Sequence, residues 1–389
     1  MKGFKFHGID AGIKPGDQPD LGVIFSEHPA TLAAVFTKNR IIAAPVILGK
    51  EKLKHGLCQA VLVNSGNANC FTGKKGLKDA MDSSNMVANA FGIEEKLVIV
   101  SSTGVIGLPL PMENFEKGIP LLIKEIDSGN IDNFAKAILT TDKTIKKVII
   151  KSTIKGNEFT ITGIAKGSGM IKPDMATMLA FICTDISISS SVLQPILKKS
   201  CDRSFNRISV DGDTSTNDTV ICLANGMSQA LVEDEDDIIQ FQESLDQVLF
   251  DLSKKIVQDG EGATKLVKII VKGAQTSKDA FMAAQTIADS NLVKTALYGE
   301  DPNWGRIIAA AGRSGAEIVM EKIDLRFDDI LIVDKGIWCG KDAEIKANSV
   351  LKRDEYNIVL DLNIGNFEDY FLFCDFSQEY VTINANYRS

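Results

Sequence analysis

The sequence predicts an α/β protein of two layered domains, and three observations point there. Short apolar runs of strand length alternate with amphipathic stretches of helix length along most of the chain. With 389 residues the chain exceeds one ordinary core, since a domain averages roughly 150 residues. No repeat of solenoid period and no low-complexity linker interrupts the pattern.

Each element follows from its local pattern. "AVLVNSGNANC" (60 to 70) and "KLVIVSSTGVIG" (96 to 107) begin as strands and flank a helix. Its stripe of Leu77, Met81, Ser84, Met86, Val87 and Phe91 keeps near the 3.6 period, and Gly92 is its stop. Strands recur at 147 to 152, 158 to 163 and 178 to 184, and the short Gly/Asn turns among them favour antiparallel pairing. Amphipathic helices follow at 191 to 204 and 234 to 257; the acidic run 233 to 237 suits the dipole at the start of the second. "KLVKIIVKG" (265 to 273) is a strand leading to a helix that begins near Ser277. The domain boundary is placed there, giving domains 1 to 275 and 276 to 389. The closing "YVTINANYRS" reads as a strand to the last residue.

Composition excludes several functions. A formal charge of -8 disfavours nucleic acid, which needs a basic face. No run approaches the roughly 18 apolar residues of a membrane span, and the start has no signal-peptide pattern, so the cytoplasm is the expected location. Seven cysteines, an odd number without a C-x-x-C pair, indicate neither a disulfide framework nor a zinc ribbon; no metal is expected. All three histidines lie in the first 55 residues, so a catalytic base in the later chain has to be another group.

The segment "AKGSGMIKPDMATMLAFICTD" (165 to 185) sets Thr177 between a glycine-rich loop and an apolar strand. The spacing is not that of a phosphate loop, and a strand rather than a helix follows; a plain structural loop stays open. A threonine hydroxyl can instead use its own α-amine as base once the preceding peptide bond is cut. That amine titrates at about 7.7 to 8.0. The same hydroxyl could make the cut by attacking the Ala176 carbonyl, with Gly167 and Gly169 giving positive φ and close approach. In "SSTGVIG", the Thr103 hydroxyl and Gly104 N–H could receive an oxyanion, although such turns are common. "DGDTSTND" (211 to 218) lacks the order of a calcium loop and reads as turn-capping. In "DGEGATK", Glu261 between two glycines could point into a cleft, and "EDPNWGR" reads as an anchor between elements.

Taken in order over nearly the whole chain, "NSGNANC", "SSTGVIG", "LTTDK", the Thr177 segment, "DGDTSTND", "DGEGATK", "EDPNWGR" and "INANYRS" resemble the ornithine acetyltransferase (glutamate N-acetyltransferase) family of arginine biosynthesis. The resemblance implies a self-cleaving N-terminal-threonine acyltransferase, cut between Ala176 and Thr177. It further implies an α2β2 assembly of the two products and a larger domain built as an α/β/β/α sandwich. The implied reaction moves acetyl from N-acetylornithine to glutamate through acetyl-Thr177, with no cofactor; whether acetyl-CoA also serves as donor is left open. By resemblance, Thr103 and Gly104 form the oxyanion hole. Thr140, Lys166, Thr177, Glu261, Asn384 and Ser389 contact substrate. Choosing Thr140 over Thr141 rests on spacing, and Ser389 stands where the family commonly ends in threonine. The alternative from another class is an N-terminal-nucleophile amidase or aminopeptidase, which releases the acyl group to water.

Overall fold

A computed structural model of the chain describes residues 1–172 and 178–386. The first two strands, β1 (Phe4–Ile9) and β2 (Leu21–Phe36), pair antiparallel. The register of β2 against β3 (Leu57–Asn64) shifts between Phe25 and Ala30. The intervening residues are "SEHP", and a proline in a strand belongs at such an irregularity because it cannot donate to the ladder. Here the long strand changes partners. Its first half lies between β1 and β3, and β3 runs parallel to β4 (Val98–Ser102).

Further along, β5 (Lys146–Ile154), β6 (Asn157–Lys166) and β7 (Leu179–Thr184) pair antiparallel in succession, as their short connections imply. After the two-residue β8 (Ile208–Ser209), β9 (Thr219–Ala224) runs parallel to β7 and antiparallel to the second half of β2. These strands, β8 excepted, make one eight-stranded sheet with two wings.

Side-chain alternation turns the wings into layers. Ile24, Leu32, Val61, Ile99, Phe181 and Ile221 share one inner core between them. Leu62 and Val100 face outward against helices α1 (Ala44–Leu53), α2 (Gly73–Phe91) and α3 (Met112–Lys124). The short α4 (Ile131–Ala137) inserts Phe134 into the inner core. Val220 and Cys222 face outward against α5 (Ser190–Arg203) and α6 (Glu235–Gln258). The result is the α/β/β/α sandwich that the resemblance implies. Gly92 does end α2 in the left-handed conformation, φ 68°. The acidic run does open α6, where Asp234 and Asp237 form a capping box.

A second, seven-stranded sheet follows. Its interior strand β10 (Leu266–Ala274) lies ahead of residue 275, and the short β8 forms one edge. The other members are β11 (Asp324–Phe327), β12 (Ile330–Asp334), β13 (Ile337–Trp338), β14 (Glu355–Asp361) and β15 (Phe367–Cys374). One face packs on α7 (Ser277–Ala288), α8 (Asn291–Tyr298), α9 (Trp304–Gly312) and α10 (Lys341–Leu351). On the other, Leu266, Leu372 and Cys374 join the core of α5 and α6. Trp304 anchors α9 to α10 through Nε1, which donates to Glu344 Oε1 at 3.1 Å.

One element differs from the sequence reading. The terminal segment is not a strand: Gln378–Asn386 is a helix, α11. None of its residues is buried, so the alternation of Tyr380, Val381, Thr382 and Ile383 records no core face. The segment is held by polar contacts, described below. Among the described residues, no helix is long and apolar enough to cross a membrane, and no cluster of His, Cys, Asp and Glu could hold a metal ion.

Candidate active site

The turn after β4 is built by close backbone approach. Thr103 N–H donates to Asn64 O at 3.0 Å, and Asn67 bridges to both Thr103 and Val105. Gly104 has φ 129°, and a Cβ there would meet Asn67 N at 2.5 Å, so the position admits only glycine. Behind it, the Asn217 amide donates to Ala68 O at 2.6 Å and Ser102 O at 2.8 Å, pinning both strands of the turn.

Lys166 ends β6 and is buried, with Nζ donating to Thr103 Oγ1 at 3.2 Å. Burial lowers its pKa, and Asp142 works against that. Burial also works against the Asp142 carboxylate, but Lys166, Lys146 and the Gly167 N–H together hold it at about 2. Lys146 Nζ lies 2.6 Å from Asp142 Oδ1 and also pairs with Asp259. The cation of Lys166 therefore sits on a fixed, paired base of charges.

Glu261 is held against the glycine-rich loop. Its N–H donates to Ser168 O at 2.9 Å. A Cβ at Gly169 would meet the Glu261 carboxylate carbon at 2.5 Å. Gly167 does take positive φ, 149°, but Gly169 does not; its role is to make room for Glu261. Asn384 of α11 donates to Glu261 Oε2 at 2.7 Å. The same helix is tied by Ser377 Oγ to Gly262 O, 2.7 Å, and by Tyr380 OH to Asp211 Oδ2, 3.3 Å. Asp211 also accepts the N–H groups of Met170 and Ile171, joining the glycine loop to the terminal helix.

Thr103, Gly104, Thr140, Lys166, Glu261 and Asn384 line one cavity of about 100 Å³. Thr141 lines it too, its hydroxyl 2.7 Å from Ser168 Oγ, while the Thr140 N–H is turned to Asp142 at 3.1 Å. Ala176, Thr177 and Ser389 lie outside the described residues. Met178 and Leu179, next in the chain after Thr177, line the cavity, as do Met170 and Ile171 ahead of it.

The sequence reading missed one wall. Within "DGDTSTND", Asp211 caps as expected, accepting Asp213 N–H as well. Ser215, Thr216, Asn217 and Asp218, however, line the cavity. Asp218 precedes β9, whose Thr219 N–H donates to Met178 O at 2.9 Å, so it stands at the mouth of β7. It is 2 % exposed, and burial raises its pKa well above the ordinary carboxylate value. The available signal was position: a polar run directly ahead of an apolar strand, the same arrangement as around Thr177.

The chain matches a family described as the ArgJ family over residues 5–389. It is 46% identical to the arginine biosynthesis bifunctional protein ArgJ of Geobacter sulfurreducens, over 100% of both chains. To the protein of the same name from Syntrophotalea carbinolica it is 47% identical, over 100% of this chain and 99% of that one. The crystal structure of the arginine biosynthesis bifunctional protein argJ from Bacillus halodurans is similar, with TM-score 0.51 and 42% identity, over 53% of this chain and 98% of that chain.

Proposed function

The chain belongs to the ArgJ family, and from that premise we propose that it transfers acetyl from N2-acetyl-L-ornithine to L-glutamate, through an ester on Thr177 that the chain exposes by cutting itself after Ala176. The observation that carries this is convergence. The Thr103–Gly104 turn, the Lys166 ammonium, the Glu261 carboxylate and the entrance to β7 all face one small cavity.

In the cut, Thr177 Oγ attacks the Ala176 carbonyl, the amide becomes an ester with the α-amine freed, and water hydrolyses the ester. In turnover, Oγ attacks the acetamide carbonyl while the α-amine takes its proton. The oxyanion rests against the Thr103 hydroxyl and the Gly104 N–H. Lys166 donates to Thr103 Oγ1, which leaves the single hydroxyl proton free to point elsewhere. The α-amine passes its proton to the departing ornithine nitrogen, and the tetrahedral carbon collapses to the acetyl ester. Glutamate's neutral amine then attacks that ester, and Thr177 regains its proton. Lys166 holds a substrate carboxylate and Glu261 an ammonium group.

The length of the Bacillus halodurans chain supports the cut. It matches almost entirely yet spans about half of this chain, as one product of scission at 176–177 would. The word bifunctional in the relatives' names supports acetyl-CoA as a second donor to glutamate; no resident cofactor takes part. Two copies of each product, in an α2β2 assembly in the cytoplasm, complete the reading.

Two measurements test it. Mass spectrometry should find a new amino terminus at Thr177. Consumption of N-acetylornithine should depend on glutamate and yield N-acetylglutamate; equal consumption without glutamate would make the enzyme an amidase instead.

A further inference from the structure

Among the carboxyls of the cavity wall, Asp218 is unusual. Glu261 is held by Asn384, whereas Asp218 Oδ2 is buried and has no hydrogen-bond partner among the described residues. Its other interactions are with Ser215 and, at longer range, with Lys166. A buried carboxylate with a bare oxygen is costly, and neutralisation is the ordinary remedy.

The charges of the neighbouring elements agree. Lys166 on β6 is within electrostatic reach of Asp142, Lys146, Asp218 and Glu261. Lys146, on β5, is paired to Asp142 and to Asp259, which follows α6. Lys14, in the loop after β1, donates to Leu139 O at 3.1 Å and senses both Asp142 and Lys166. Lys14 also faces Asp20 and Asp10, so Asp142, Asp259, Glu261, Asp20 and Asp10 already supply counter-charge for these lysines without Asp218. Ionised, Asp218 would add a further negative charge beside Lys166 before an anionic amino acid arrived.

We infer that Asp218 is a positioning residue that works through Lys166: uncharged, it leaves the ammonium free for the substrate carboxylate, and ionised, it competes for that ammonium. The inference rests on the reading of Lys166 given above. Glutamate, with its net negative charge, should feel it more than N-acetylornithine, whose charges cancel.

The test is the pH dependence of KM for glutamate, measured by acetyl transfer in the parent and in Asp218→Asn. In the parent, KM should rise by up to about ten-fold per pH unit above the point where Asp218 ionises. Asparagine cannot ionise, so in the variant the rise should be absent. A variant that keeps the parent's pH profile overturns the inference, since a purely structural role would shift KM uniformly. Should the variant not fold or not process, calorimetry of glutamate binding to the parent in two buffers of different ionisation enthalpy decides. Proton uptake on the alkaline side is expected, and binding without uptake rejects the role. Lys166→Met separates the premises: an unchanged KM for glutamate in that variant removes the Lys166 reading itself.

Discussion

In Gly104→Ala, the added methyl would stand 2.5 Å from Asn67 N, where ordinary contact begins at 3.4 Å. Its neighbour is backbone, the Asn67 carbonyl accepting from the Asn64 side-chain amide and the next carbonyl, of Ala68, from the Asn217 amide, and cannot swing aside as a side chain would. The turn must therefore retreat by about 1 Å, a displacement that costs about 100-fold in rate when it occurs at reacting groups. Loss of one oxyanion donor alone costs about 100- to 1,000-fold in kcat. The unfavourable φ adds about 1–3 kcal/mol of strain to the folded state. Steady-state acetyl transfer from N-acetylornithine to glutamate should show kcat down by about 100-fold or more, with KM within about three-fold. Urea unfolding should report the strain separately. Uncut chain should also accumulate, since the carbonyl attacked in self-cleavage would need the same donors. A variant that folds, processes and turns over within about five-fold of the parent would refute the assignment of this turn to the oxyanion.

Thr177→Ala should stay a single 42.2 kDa band on a denaturing gel and be inactive, whereas Thr177→Ser should still process; robust transfer by the alanine variant rejects the nucleophile. Lys166→Met should raise KM for both substrates by about 10- to 100-fold, the size of a charge-assisted hydrogen bond of about 1.5–3 kcal/mol. Asp142 has its folded pKa depressed to about 2 from an ordinary 3.8, so its stabilisation is present above the ordinary value and is lost as pH falls through about 2. Urea unfolding of Asp142→Asn should therefore show a deficit of about 2 kcal/mol at pH 7 that closes as acid protonates the parent; a deficit constant from neutral pH to about 2 contradicts it.

Much of the fold was legible because burial imposed the periods. β5 to β7, α5 and α6 each bury an apolar set at strand or helix spacing, and helix ends carry caps that a sequence can display, such as Gly92 and Asp234. Helix α2 instead buries Ala80, Val87 and Ala88 together with Asp79, Ser83 and Ser84, and leaves Met81 of the expected stripe exposed. The terminal helix was not legible, because nothing in it is buried and its position depends on Asp211, Gly262 and Glu261, residues far away in sequence. The same reason hid the wall from Ser215 to Asp218. Its residues look like ordinary turn-formers until β9 is laid beside β7. The grouping of Thr103, Lys166 and Glu261 came from motif order in the resemblance; no spacing between them could have supplied it.

The pairing of β6 with β7, and of β2 with β9, gives the proposed scission a further consequence. Both fragments would be woven through the same sheet, so cutting frees neither. It would, however, convert a self-contained refolding problem into an encounter between two polypeptides, whose success depends on dilution. Heated and cooled, the intact precursor should recover its shape at any dilution, while recovery of the severed enzyme should fall as it is diluted.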